Sequence, residues 1–370
     1  MIPNRGASPS PSLRGCRGLS LVELMIALAL GLLLMLAVGT ILLAGKQSYR
    51  TNDALAEIQE TGRFAMEFLR RGVRGAGGSP CGPTETIVNV LNGASSNDPM
   101  DFEGAAIMGY EDVSTISDLP GGGPFFTLRA PLDGTDAVLA ISAEDALGFS
   151  VTGHNPTSAQ FKLSRPSEIE KPEADRSQHD LVDGDILMVC DFDHTAIFQV
   201  TNANQSNLTI VHNTGVSGVT PGNCTKGLGS PLDCDNANGT PYTFGDRSQI
   251  TRMVSRLFYI AENPRGVPSL YRAGFDGQEE LVQGVQDMQM VYGRDTDGDG
   301  SVDRYDPANV LTGADWEDVV SVRISILVYS EERNVLDQDQ TIVFNGSEVT
   351  PPDRRLGRVF TSTVALRNRL

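Results

Sequence analysis

Residues 18–45 read GLSLVELMIALALGLLLMLAVGTILLAG, and this stretch decides what kind of chain this is. From Leu24 to Gly45 there is no charged residue. Twenty-two such residues, at 1.5 Å each, make a helix of about 33 Å, enough for the hydrocarbon core of a bilayer. The preceding residues carry Arg5, Arg14 and Arg17 and no acid. Basic flanks stay on the cytoplasmic side, so the rest of the chain is expected to face out. The mean hydropathy of the whole chain is that of a soluble protein and conceals this block.

A secretory signal peptide, a plain signal anchor and lipidation at Cys16 are the alternatives. A signal peptide usually has an apolar region of about 7–15 residues and a small-residue cut. Here the run is longer, and the best cut, Ala37-Val38-Gly39, lies inside it. No apolar stretch precedes Cys16. A signal anchor gives no reason for Glu23. An acid at the centre of a membrane helix costs roughly 2.5–3.5 kcal/mol on insertion scales, so it needs a partner or a task.

The helix is expected to run on. No proline occurs between Pro11 and Pro80, and Leu55, Ile58, Gly62, Ala65, Leu69 and Val73 form one helical stripe. Arg70, Arg71 and Arg74 suit a helix C-terminus, and Gly75-Ala76-Gly77-Gly78 stops it. A helix from Leu19 to about Arg74 is about 84 Å long, apolar all round at first and one-sided later, the second half suited to docking on a sheet.

Beyond it, residues 79–133 read as irregular. Strand-like runs follow at 137–142, 161–163, 185–190, 196–201 and 208–212, the last three as an antiparallel meander. Residues 213–248 form an insert rich in Asn, Gly, Thr and Pro. Further strands are expected at 252–260, 269–272, 281–292, 318–329, 340–344 and 358–366. The predicted class is α+β, a long helix followed by an antiparallel β-rich body.

A net charge of −18 excludes the basic footprint of a nucleic-acid binder. G-x-S-x-G, H-E-x-x-H, C-x-x-C, Walker A and G-x-G-x-x-G do not occur, and His154, His179, His194 and His212 lack metal-site spacing. No catalytic residue is assigned. If Cys16 leaves with the leader, Cys81, Cys190, Cys224 and Cys234 remain in an exported body, where disulfides form. Four cysteines allow three pairings. Cys224–Cys234 is the closest in sequence, and Cys81–Cys190 then follows; free buried thiols are the alternative. Asp295, Asp297, Asp299, Ser301 and Asp303 stand at positions 1, 3, 5, 7 and 9 of a calcium-loop spacing, with Gly300 at 6 and Asp306 at 12. A structural Ca²⁺ is expected there, with a solvated acidic turn as the alternative.

Gly18-Leu19-Ser20-Leu21-Val22-Glu23 resembles the processing signal of type IV prepilins and pseudopilins. FAMEFLRRGVRGAGG (64–78), MVCDFDHTAIFQVTN (188–202), RDTDGDGSVDRY (294–305) and RRLGRVFTSTVALRN (354–368) resemble the PilW-type minor pilins. The resemblance implies that prepilin peptidase cuts after Gly18, that Leu19 becomes the methylated N-terminus and that Glu23 guides assembly. It implies a cleaved leader (1–18), an assembly helix (19–48), an amphipathic half (49–74) and an exported body (75–370). Implied partners are other minor pilins, the major pilin, the inner-membrane assembly platform and a tip adhesin. The J-type minor pseudopilin of type II secretion shares the leader and helix. A membrane-tethered, calcium-dependent adhesin or hydrolase is the reading from another class, and Glu23 argues against it.

Overall fold

The computed structural model describes residues 20–78, 86–93, 106–120, 126–144, 149–164, 181–204, 206–246 and 248–366. The processing residues Gly18 and Leu19, together with Cys16, Cys81 and His179, lie outside them. The chain divides into two compact units, Met1–Asp53 and Ala54–Leu370.

Helix α1 spans Leu21–Arg74. In the first unit its large apolar side chains, from Leu21 to Leu43, are exposed. The helix is long and apolar enough to cross a membrane. Ser20 and Glu23 cap its start reciprocally: the Glu23 amide donates to Ser20 Oγ (3.2 Å), and the Ser20 amide to Glu23 Oε2 (3.4 Å).

In the second unit α1 buries Ala54, Ile58, Gly62, Ala65, Met66, Leu69, Gly72 and Val73. Leu55, expected in the stripe, is exposed, and the small Ala54 takes the buried place. Two glycines in the stripe allow close approach. A Cβ on Gly62 would collide with the Phe360 ring, and one on Gly72 with the Phe258 ring.

The strands in chain order are β1 (Ile87–Asn89), β2 (Ile107–Val113), β3 (Thr135–Ala143), β4 (Phe149–Asn155), β5 (Gln160–Ser164), β6 (Ile186–Cys190), β7 (Thr195–Gln199), β8 (Asn202–Asn204) and β9 (Thr209–Val211). The second series is β10 (Gln249–Glu262), β11 (Pro268–Gly274), β12 (Gly277–Gln283), β13 (Val285–Arg294), β14 (Arg304–Asp306), β15 (Val319–Tyr329), β16 (Ile342–Phe344), β17 (Ser347–Val349) and β18 (Gly357–Ala365). They form a 12-stranded sheet that branches at β10, a four-stranded sheet in the order β14-β13-β15-β18, and the small hairpin β16–β17. Almost all pairs are antiparallel; β1 joins β7 in parallel.

Several expectations are corrected. Residues 79–133, read as irregular, contain β1 and β2. β4 was not expected at all. The run 281–292 is two strands, split at Gly284, whose φ of 87° turns the chain. The expected three-strand meander is a β6–β7 hairpin only. The outer edge of β7 is occupied by β1, and β9 pairs with β5 and β8 instead.

The main core lies between the second half of α1, the β2-β3-β10-β11 part of the large sheet and the inner face of the four-stranded sheet. In β15 the exposed Arg323 and half-buried Ser325 face outward, while Val322, Ile324 and Ile326 are buried. Tyr292 meets Trp316 edge-to-face at 4.8 Å. A buried carboxylate ties the layers together: Asp136 on β3 accepts from the Met290 amide on β13 (2.7 Å) and the Asp112 amide on β2 (3.2 Å). Burial pushes its pKa up to about 7, against the lowering effect of those two amides. A second core fills a lobe built from β4–β9 and the 213–248 insert, around Phe161, Phe198, Phe244 and Leu228.

Candidate functional site

The features that carry chemistry fall in separate places among the described residues. The first is the N-terminal helix. Glu23 stands in the first turn, where a carboxylate suits the positive end of the helix dipole. Behind it, from Leu24 to Leu43, fourteen large apolar side chains are exposed.

The second is the acidic loop, which closes the β13–β14 hairpin. Arg294 pairs with Arg304 across the ladder, and residues 295–303 form the loop. Carboxylate oxygens of Asp295, Asp297 and Asp303 lie within 4.8 Å of one another. The loop is held by its own amides. Asp295 accepts from Gly298 and Gly300 (both 2.8 Å), and Asp303 accepts from the Thr296 amide (2.7 Å) and hydroxyl (2.6 Å). These bonds hold the Asp295 and Asp303 carboxyls below the ordinary carboxylate range: the Gly300 amide is the largest cause for the first, the Thr296 hydroxyl for the second. Gly298 and Gly300 have φ of 77° and 84°, the left-handed region that glycine adopts without strain. Asp299 accepts from the Ser301 amide at 2.7 Å and is not among the converging three. Asp306 lies apart from them. It belongs to β14, where it pairs with Arg304 Nε (2.7 Å) and Arg294 Nη1 (3.7 Å). In a helix–loop–helix site the twelfth residue turns back on the ion, whereas here strand pairing aims it at arginine.

The third is the cysteine-bearing insert. Cys224 and Cys234 form a disulfide, with Cα atoms 5.1 Å apart. Cys190 is also disulfide-bonded; Cys81, its expected partner, lies outside the described residues. The insert is stitched to β7 by Asn223, whose side chain accepts from the Gln199 amide (2.7 Å) and donates to the Gln199 carbonyl (2.8 Å).

The three described histidines sit in packing and hydrogen-bonding positions. His194 bonds Leu228 O through Nε2 (2.5 Å) and stacks on Tyr242. His154 Nδ1 accepts from the Phe244 amide, which leaves Nε2 to meet His212 Nε2 at 3.4 Å. Burial pushes the pKa of His154 down to about 4 and of His212 to about 3, so both rings are neutral at physiological pH.

Two family models match. Residues 13–39 match the prokaryotic N-terminal methylation motif, and residues 257–368 match type IV pilus-assembly protein W (PilW). Together the two matches support a minor type IV pilin of the PilW type. No curated protein and no solved structure matches it. The PilW match runs from β10 to just beyond β18, so it includes the whole four-stranded sheet and the acidic loop. The methylation motif begins in the basic leader and ends within the apolar half of α1. The methylation motif and the apolar helix fit a membrane-anchored pilin, and the matched families suggest a structural role. The sequence analysis did not single out Arg252 and Arg256 of β10 or Arg272 of β11, because nothing in their spacing brings the two strands' arginines together. The sheet instead places them around a cleft.

Proposed function

We propose that this pilin takes part in the initiation of pilus assembly, at or near the fibre tip, in a complex with other minor pilins. The observation that supports this reading is the first unit of α1. It carries one acid at its start and an apolar surface that only lipid or other subunits can cover. Before assembly the helix sits in the inner membrane with the body in the periplasm. Afterwards the same surface packs among the helices of neighbouring subunits, and Glu23 pairs with a neighbour's N-terminal amine. Such a buried pair sets register more than it adds net stability. The major pilin and the assembly platform are the further partners, with a tip adhesin as the outermost, and prepilin peptidase acts on the leader. The mechanism is assembly and not catalysis.

This reading requires a cut between Gly18 and Leu19. Mass spectrometry of the protein from cells with active prepilin peptidase is expected to find Leu19 as the methylated first residue. An intact leader, or a start near Thr40, rejects it.

We also propose that the loop holds a structural Ca²⁺. Asp295, Asp297 and Asp303 converge on one point, and Asp299 and the Ser301 carbonyl are the neighbouring oxygen donors. Hard oxygen ligands and a high coordination number favour Ca²⁺ over Mg²⁺. Asp306 stays with its arginines. The ion would relieve the repulsion of the clustered carboxylates and steady the β13–β14 hairpin. Calorimetry on the full chain in detergent is expected to show one site, lost in Asp295→Ala/Asp299→Ala. Neither binding heat nor a higher melting temperature in millimolar Ca²⁺ would leave a plain acidic turn.

A further inference from the structure

Strand β10 is central, yet one of its sides has a gap. Along Met253–Phe258 it pairs with β3. On the opposite side β6 pairs with Gln249–Arg252, and β11 takes over only at Leu257. Met253–Arg256 therefore have no strand neighbour on that side among the described residues. The Arg252 carbonyl accepts from the Glu144 amide on the β3 side. Backbone groups alternate along a strand, so the amides and carbonyls of Met253 and Ser255 point the other way, into the gap.

The gap opens into a cavity of about 770 Å³, walled by residues 182–186 at one end and 272–276 at the other. That volume lies within the roughly 300–1,000 Å³ typical of ligand sites. Four residues of extended chain span about 13 Å, at roughly 3.3 Å each.

Three arginines (Arg252, Arg256, Arg272) and four acids (Glu144, Asp183, Asp185, Asp276) line the cavity. Arg252 is bound by Glu144 (2.8 Å) and Asp185 (3.1 Å), and Arg272 by Glu279 (2.5 Å). The Arg256 side chain makes no hydrogen bond or ion pair among the described residues. It stands half-buried on the same face of β10 as Arg252, and its pKa is lowered, first by burial and then by the like charge of Arg272. Arg71 adds to this lowering, and Glu144 and Asp276 oppose it. Ser255, which lines the cavity and is 2% exposed, has a hydroxyl without a partner.

We propose that this cleft binds an extended, acidic peptide segment of a partner protein, which adds as a short strand to Met253–Ser255 and sets a carboxylate against Arg256. Main-chain bonds supply affinity in this mode of recognition, and the cross-strand charge pair supplies selectivity. Four acids line the cleft against three arginines, so selection of an acidic segment rests on the contact of its carboxylate with the Arg256 guanidinium itself.

The test is fluorescence anisotropy on the full chain in detergent, with a labelled hexapeptide alternating valine and glutamate. The peptide is expected to bind at least ten times more tightly than its valine–glutamine counterpart and than a version with N-methylated backbone amides. Arg256→Gln is expected to weaken binding of the acidic peptide at least tenfold without lowering the melting temperature. Arg265→Gln, remote from the cleft, is expected to change nothing. Equal binding of the acidic and amide peptides, equal binding of the N-methylated peptide, no binding at millimolar peptide, or unchanged binding by Arg256→Gln would each overturn the proposal. The peptide comparisons use the unaltered protein, so they decide the matter even if the Arg256 variant does not fold.

Discussion

Gly72→Leu is expected to destabilise the body by about 2–3 kcal/mol, although leucine is the better helix former. Exchanging an interior glycine for a good helix former gains about 1 kcal/mol where there is room. At Gly72 there is none, because a Cβ would overlap the Phe258 ring. That ring cannot swing aside. Phe258 is 2% exposed and stands in β10 with Val138 of β3 on one side and Arg272 of β11 on the other. Overpacking of this kind costs roughly 1–3 kcal/mol, and more when several atoms intrude. In a unit of this size the expected fall in melting temperature is about 3–5 °C. Gly31→Ala is the matched control, since nothing lies within 4 Å of a Cβ there. Equal melting temperatures for Gly72→Leu and the unaltered protein would show that α1 does not bear on β10 as described.

The second large effect concerns assembly and leaves the fold intact. Glu23→Ala is expected to leave the subunit stable in the membrane and to remove it from the fibre. Within the subunit, Glu23 caps its own helix, and losing a cap costs about 1 kcal/mol at an exposed terminus. That is too little to unfold a long helix and does not touch the body. Within the fibre, removing one partner of a buried pair costs roughly 3–5 kcal/mol. A loss of that size is more than a hundredfold in the equilibrium between membrane and fibre. Subunit levels by immunoblot and content of sheared fibres by mass spectrometry separate the two effects. Equal incorporation of the variant would remove the assembly role from Glu23.

The helix was legible because its signals are local: an uncharged run, a stripe of apolar and small residues, and arginines before a glycine stop. β15 and β18 were legible for the same reason. What failed was non-local. β9 carries the same apolar pattern as β6 and β7, but the edge it would have joined is taken by β1, more than a hundred residues earlier. Gly284 looked like one residue in a strand, and only its left-handed φ splits the run. In the acidic loop Asp295, Asp297 and Asp303 come together, and the twelfth position stands elsewhere. Asp306 answers to Arg294 and Arg304, a pairing fixed by strand register and invisible in the spacing. The cleft beside Arg256 had no signature at all, since it exists only because β6 and β11 leave part of β10 between them uncovered.

The account stands on this chain acting where a pilus begins. Gold-labelled antibody against the exported body, applied to intact fibres, locates it directly. Label at one end of each fibre, together with sparse pili in cells that lack the chain, is the predicted result. Label spread evenly along the shaft, or normal pilus numbers without the chain, would contradict it.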